Sequence, residues 1–228
     1  RRGGRLRRRR RLRRLVTIMT KNISTYLNAE QQAIIREAVS HAEAGTSGEI
    51  VPMLVAESDD YREAAVQAAV IIAALLSLLV SLVVHDTSVW LFIPLTFTLY
   101  FPSSALVRRL PSLKLAFTPS ARVREVVHKR AIRAFHEKKL HRTREENGIL
   151  IFISLLERKV WILGDRGINA VIPPERWTSL ASGLASGIRG GLMAETLVTT
   201  IAEVGDILTK HFPHRKDDTN ELPDLLAE

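Results

Sequence analysis

The chain has 228 residues, with 33 Lys and Arg against 24 Asp and Glu and a formal net charge of +9. It contains no cysteine, which excludes disulfides, thiolate metal sites and cysteine nucleophiles. Its length suits one domain of ordinary size plus an anchor, not two large domains.

Ten arginines and no acid lie within Arg1–Arg14, and the remainder of the chain is close to neutral. The high isoelectric point therefore describes a tail, and no nucleic-acid partner is expected for residues 19–228. Residues 1–18 admit three readings: an extension upstream of a start at Met19, a disordered basic arm for anionic lipid or nucleic acid, or a targeting peptide. The last is opposed by the shortness of the apolar stretch Leu15–Met19, since a signal-peptide core needs roughly 7–15 residues.

The first element in the body is an amphipathic helix over Asn22–Ala44. Asn28 serves as its N-cap, Gln31 three residues on completes a capping box, and Ala33, Ile34, Ala38 and Ala42 form its apolar row. Gly45 and Gly48 end it. Glu49–Val55 is apolar and partly β-branched, the pattern of a strand, and Pro52 places that strand at an edge or at a bulge.

Ala64–Val84 is a run of 21 residues without a charge, long enough at 1.5 Å per residue to span a hydrocarbon layer of about 30 Å. His85, Asp86 and Thr87 interrupt it, and Ser88–Val107 is a second uncharged run with Trp90 and Tyr100 towards its ends, where aromatic residues favour membrane interfaces. Pro94 and Pro102 would break a soluble helix but are tolerated in a membrane. The competing reading, two buried core helices, fits poorly, because a core helix need not be apolar all round. The expected element is a transmembrane helical hairpin over residues 64–107. The loop lacks Lys and Arg, whereas Arg108, Arg109, Lys114, Arg122, Arg124, Lys129 and Arg130 follow the second run. The positive-inside rule then predicts a two-pass protein of the inner membrane with its soluble parts in the cytoplasm.

Beyond the hairpin, Pro119–Arg142 reads as a helix with Val123, Val127, Ala131, Ala134 and Phe135 on one face and basic residues on the other. Ile149–Leu155 is the continuous apolar run of a central strand, and Val160–Leu163 is a short strand paired to it antiparallel. Pro173 and Pro174 open a helix with Trp177, Leu180, Ala181, Leu184 and Ile188 as its stripe. A last helix covers Ala194–Lys210, and the polar tail 212–228 is expected to be disordered. The expected architecture is a split α/β domain, residues 22–60 and 115–211, with the hairpin inserted after the first strand.

This order and several strings resemble the TPM domain family, named for a thylakoid lumen protein, a photosystem repair protein and a nematode receptor auxiliary subunit. The strings are Ser47-Gly48-Glu49-Ile50-Val51, Asn147-Gly148-Ile149-Leu150-Ile151-Phe152-Ile153-Ser154, and the segment from Glu157 to Ile168. His211-Phe212-Pro213 and Asn220-Glu221-Leu222-Pro223-Asp224 are similar to bacterial membrane-bound members. The resemblance implies a three-layer α/β/α sandwich. It implies either a weak acid phosphatase, as described for plant members, or an accessory factor in the assembly and repair of membrane proteins. Many members hold this domain outside the cytoplasm; the charge distribution here points inward.

The chemistry-bearing residues are few. His136-Glu137-Lys138-Lys139-Leu140-His141 fails the HExxH zinc pattern, since the second histidine, at i+5 instead of i+4, lies about 140° round the helix from the first; a solvated, charged helix end is the expected reading. Gly183, Gly187, Gly190 and Gly191 follow no strand and form no phosphate loop; close helix packing and a helix stop account for them. No Ser sits in a GxSxG elbow. Asp165, between glycines just after a short strand, and Glu49, at the start of the first, are the candidate metal ligands. Together they could hold Ca²⁺ or Mg²⁺, the cofactor candidates, and such an ion could position a phosphate. Alternatively Asp165 caps a turn and Glu49 is a solvated strand end. The expected partners are the lipid bilayer and other membrane proteins.

Overall fold

The computed structural model of the chain describes residues 26–85, 88–143, 145–213 and 226–227. Residues 1–25, 86–87, 144, 214–225 and 228, which include the expected loop between the two apolar runs and most of the C-terminal tail, lie outside the described residues. The rest divides into two compact units, one built from the chain up to Ser58 and from Val127 onward, the other from Asp59–Val126.

In the first unit, α1 (Ala29–Glu43) begins at a complete capping box: Asn28 accepts from the Gln31 amide at 2.7 Å, and Gln31 accepts from the Asn28 amide at 3.0 Å. Its buried residues are Ile35 and Val39; of the row read from the sequence, Ala38 and Ala42 pack against the same core, whereas Ala33 and Ile34 are exposed, Ile34 by 46%. Ile35 lies about 100° round the helix from Ile34, so the core-facing side centres on Ile35 and Val39 with Ala38 and Ala42 beside them.

Strand β1 (Glu49–Val55) pairs parallel along its whole length with β2 (Gly148–Ser154), and β2 pairs antiparallel with β3 (Lys159–Gly164). Leu226–Ala227 forms a two-residue β4 that adds to β1 at Met53 and Leu54, giving the order β3-β2-β1-β4. Pro52 lies just outside the stretch that β4 covers, so its missing N–H falls where β1 has no second neighbour among the described residues. The end of the tail, expected to be disordered, therefore returns to the sheet, and Pro213 bridges Thr46.

Every residue of β1 and β2 is buried. One face of the sheet carries Ile50, Leu54, Ile149, Ile151, Ile153 and Ile162. Three helices cover it: α1, α7 (Pro174–Arg189, through Trp177, Leu180 and Leu184) and α8 (Met193–His211, through Leu197, Ile201, Val204 and Leu208). The other face carries Val51, Met53, Leu150 and Phe152, all buried, with Trp161 beside Phe152. Against it lies α5 (Ser120–Glu137), whose His128 ring stacks on Trp161 at 4.2 Å. The helix predicted to run to Arg142 stops at Glu137; Lys139 takes a left-handed conformation (φ 62°), and Leu140–Arg142 form a 3₁₀ turn. Two short helices were not legible in the sequence, α4 (Pro111–Ala116) and α6 (Arg166–Asn169).

The second unit holds α2 (Arg62–Val84) and α3 (Val89–Arg109), joined to the start of α5 through α4. The helices meet along small residues, with Ala68, Ala69, Ala73, Ser77 and Ser81 buried on α2 and Ser103 and Val107 on α3. Ser77 donates to the Phe92 carbonyl at 3.1 Å. Their other faces are apolar and open: Leu79, Val83, Ile93, Phe97 and Phe101 are each more than half exposed.

Candidate functional site

Glu49, Gly148 and Asp165 stand in one row across the sheet. Glu49 is the register partner of Gly148, and the Asp165 amide donates to the Gly148 carbonyl at 2.9 Å. The two candidate carboxylates thus rise from backbones two strand spacings apart, about 10 Å, with Gly148 between them. The carbonyl of Leu140 occupies the space above Gly148, since a Cβ there would lie 2.6 Å from that oxygen. The 3₁₀ turn therefore reaches between Glu49 and Asp165.

Each carboxylate has its own surroundings. Glu49 is 7% exposed, so it is not the solvated strand end. Asp165 is the N-cap of α6, where Oδ1 accepts from the Arg166 amide at 2.8 Å, the usual role of an acidic residue at a helix start. Its Oδ2 is shielded from solvent and accepts no hydrogen bond among the described residues. Arg166 reaches over to Glu146 in a bidentate pair at 2.9 and 2.6 Å. That hydrogen-bonded guanidinium holds the Glu146 carboxyl below the ordinary range, and Glu146 in turn raises Arg166. Next to this pair Ser47 donates to Glu145 at 2.8 Å, and Asn147 donates to the Ser47 carbonyl at 2.7 Å. Gly167 fits beneath the Glu145 and Glu146 carbonyls, which would lie 2.7 and 2.9 Å from a Cβ.

Ca²⁺ takes about six to eight oxygen ligands and Mg²⁺ about six. Among the described residues no group of three Asp, Glu or His is assembled for an ion, so Asp165 and Glu49 supply at most part of a donor set. The His136–His141 pair differs from its sequence reading. The left-handed Lys139 folds the chain back and brings the two rings to 5.1 Å, with His136 Nδ1 held by the Ile132 carbonyl at 2.8 Å. Of the glycines, Gly187 is where α7 meets Thr196 of α8, and Gly191 is left-handed after the helix stop, whereas Gly183 faces open space and packing does not explain it.

The carboxyl ends of the parallel strands carry a cluster that the sequence did not reveal. Glu157, 6% exposed, accepts from the Ser58 amide at 2.9 Å and from the Ser154 hydroxyl. Ser154 Oγ lies 2.8 Å from Ser58 Oγ. Since Ser154 gives its proton to Glu157, Ser58 donates to Ser154. This is the sheet end at which open α/β folds place ligands, but here the groups satisfy one another and tie the exit of β1 to the β2–β3 turn. The only signal was a serine ending an otherwise apolar strand three residues before a glutamate.

Residues 114–207 match the TPM domain family. The TPM match begins within α4 and ends within α8, and so includes β2, β3 and Asp165 but not β1, Glu49 or the helical hairpin. A similar solved structure is the NMR structure of BA42 protein from the psychrophilic bacterium Bizionia argentinensis sp. nov., with a TM-score of 0.54 over 88% of this chain and 94% of that one. At 23% identity the likeness is one of fold. No curated protein matches the chain.

Proposed function

We propose that α2 and α3 form a transmembrane hairpin in the inner membrane, with the TPM-containing α/β domain on the cytoplasmic side. In this reading the domain serves other membrane proteins as an accessory or quality-control factor. The observation that carries the anchor is exposure. Only 28% of the apolar window of α2 and 6% of that of α3 is buried, whereas the core helix of a soluble protein is mostly buried. Large apolar side chains are exposed on both helices, among them Leu75, Leu79, Val83, Ile93, Phe97 and Phe101, and exposed apolar patches of this kind mark membrane or protein interaction sites. The cytoplasmic side follows from Arg108, Arg109 and Lys114 flanking the hairpin on the domain side.

The accessory role is supported by the chemistry of the site. Asp165 caps a helix, Glu146 is engaged by Arg166, and the one hydroxyl seen donating to a carboxylate at the strand ends, Ser154 to Glu157, is fully buried, so among the described residues no activated nucleophile stands beside a base within reach of a substrate. Copurification of the full chain from native membranes tests the role: a reproducible set of membrane-protein partners is expected, and recovery of the chain alone from gently solubilised membranes would count against it. Labelling a cysteine introduced by Thr87→Cys tests the side. The expected outcome is reaction with an impermeant reagent in intact cells, and reaction only after lysis would reverse the orientation.

A second reading, a weak divalent-metal-dependent phosphatase, is favoured by one feature, the Asp165 Oδ2 that accepts no hydrogen bond among the described residues. Asp165 and Glu49 would be its ligands for Ca²⁺ or Mg²⁺. In detergent, metal-dependent phosphoester turnover that disappears in Asp165→Asn would establish it; turnover that survives the substitution would refute it.

A further inference from the structure

We propose that α5 is a cationic strap that lies on the anionic phospholipid headgroups of the membrane its own chain enters, an inference that rests on the transmembrane reading of α2 and α3. Arg122, Lys129, Arg133 and His136 recur at i, i+7, i+11 and i+14, so they share one stripe of the helix. All four are exposed, and they lie opposite the buried row of Val123, Val127, Ala131 and Ala134. Ile132, 40% exposed, flanks the stripe with an apolar side chain. Residues 120–139 hold seven Lys and Arg against two acids, in a chain whose body is otherwise slightly acidic. One of those acids, Glu137, is paired with Arg130 off the stripe at 3.1 Å.

The occupant is fixed by connection and by charge. Only ten residues separate the end of α3 from the start of α5. The first turns of α5 belong to the same compact unit as the hairpin, and Arg122 reaches Glu63 in the first turn of α2 at 3.3 Å. The stripe therefore starts at the end of the hairpin where charged residues begin, which is the headgroup level of a bilayer. Juxtamembrane clusters of Lys and Arg are drawn to anionic leaflets, and an apolar neighbour such as Ile132 adds shallow insertion. The face that packs on the sheet is already occupied, so the helix can serve the domain and the membrane at once.

The test uses the full chain in lipid nanodiscs of phosphatidylcholine alone and of phosphatidylcholine mixed with phosphatidylglycerol. Because the protein has no cysteine, Ile132→Cys carries a single fluorophore, and Thr178→Cys on α7 is the reference. A water-soluble quencher is expected to act severalfold less on position 132 in the anionic discs than in the neutral ones. The difference is expected to vanish in about 1 M salt, where the screening length falls to about 3 Å, and in Lys129→Glu/Arg133→Glu. Position 178 is expected to be quenched equally in all discs. Equal quenching at 132 in neutral and anionic discs, with the protein resisting carbonate extraction, would overturn the strap and leave the anchor standing. Shielding that ignores salt, or that arises only when another membrane protein is added, would also overturn it. Release of the protein by carbonate would remove the anchor and the strap together.

Discussion

Glu157 is a single residue on which two others depend. Its carboxylate is the acceptor for the Ser58 amide and for the Ser154 hydroxyl, and Ser154 is fully buried. Glu157→Ala leaves both donors without that acceptor, at a cost of about 1–3 kcal/mol for each buried group. Ser154→Ala removes donor and need together, so it should cost less, and the double variant should cost clearly less than the two singles added. Chemical unfolding of the four proteins in detergent measures this; strict additivity would mean that the cluster is not a network. At the exposed end of the sheet the Glu146–Arg166 pair behaves differently. A carboxyl lowered by its partner stabilises the fold above its unfolded value near pH 4.3, and the contribution fades as pH falls through the lowered folded value. Arg166→Gln should thus lower Tm slightly at pH 6 and not at all near pH 2, and salt should shrink even the former because both groups are exposed. A Tm deficit that persists unchanged in strong acid would assign the loss to packing.

Among the elements, legibility followed the range of the forces. The capping box of α1 was readable because it is closed by residues three apart, although Tyr26–Asn28, inside the predicted span, precede the helix; the bounds of β1 were readable from an apolar, partly β-branched run of strand length. The packed face of α1 was readable only at Ala38 and Ala42, because Ile34 and Ile35 are equally apolar and only the tertiary packing chooses between them. The end of α5 was also hidden: a lysine at φ 62° is imposed by the fold, not by any local preference of lysine. The reason for that reversal lies in Gly148. The turn it creates buries Leu140 completely and sets the Leu140 carbonyl where a Gly148 side chain would stand. Gly148→Ala therefore meets backbone, which no rotamer change relieves, and should destabilise by about 1–3 kcal/mol or more, in the range of overpacked cores. Gly183→Ala, where nothing lies within 4 Å, should be neutral or slightly stabilising through helix propensity. Thermal unfolding of the two variants side by side is the check, and equal Tm values would contradict the tight contact. The candidate carboxylates were legible as residues, and their row across the sheet follows from the strand register. What intervenes between them was not legible, because Leu140 arrives from a turn with no sequence signature.

At the scale of the whole molecule, the α/β unit is closed by segments far apart in the chain. β1 precedes the hairpin, yet it pairs with β2 over seven residues about a hundred positions later. Its Ile50 and Leu54 join the helix-covered core, while Val51 and Met53 line the opposite face. Residues 114–207, the part matching the TPM domain, thus contain the central strand without the neighbour that buries its edge. They also end before Leu208 of α8, which contacts Gly48. A fragment of these residues is expected to be aggregation-prone and poorly ordered, because an apolar parallel strand with one open edge is both unsatisfied and adhesive. Adding a peptide of residues 26–58 to a fragment spanning 127–228 should restore the missing strand and α1 together. Dispersed amide resonances are expected only in the mixture. If 114–207 alone gives a dispersed spectrum and a cooperative unfolding transition, β1 is an accessory to the sheet instead of part of its core.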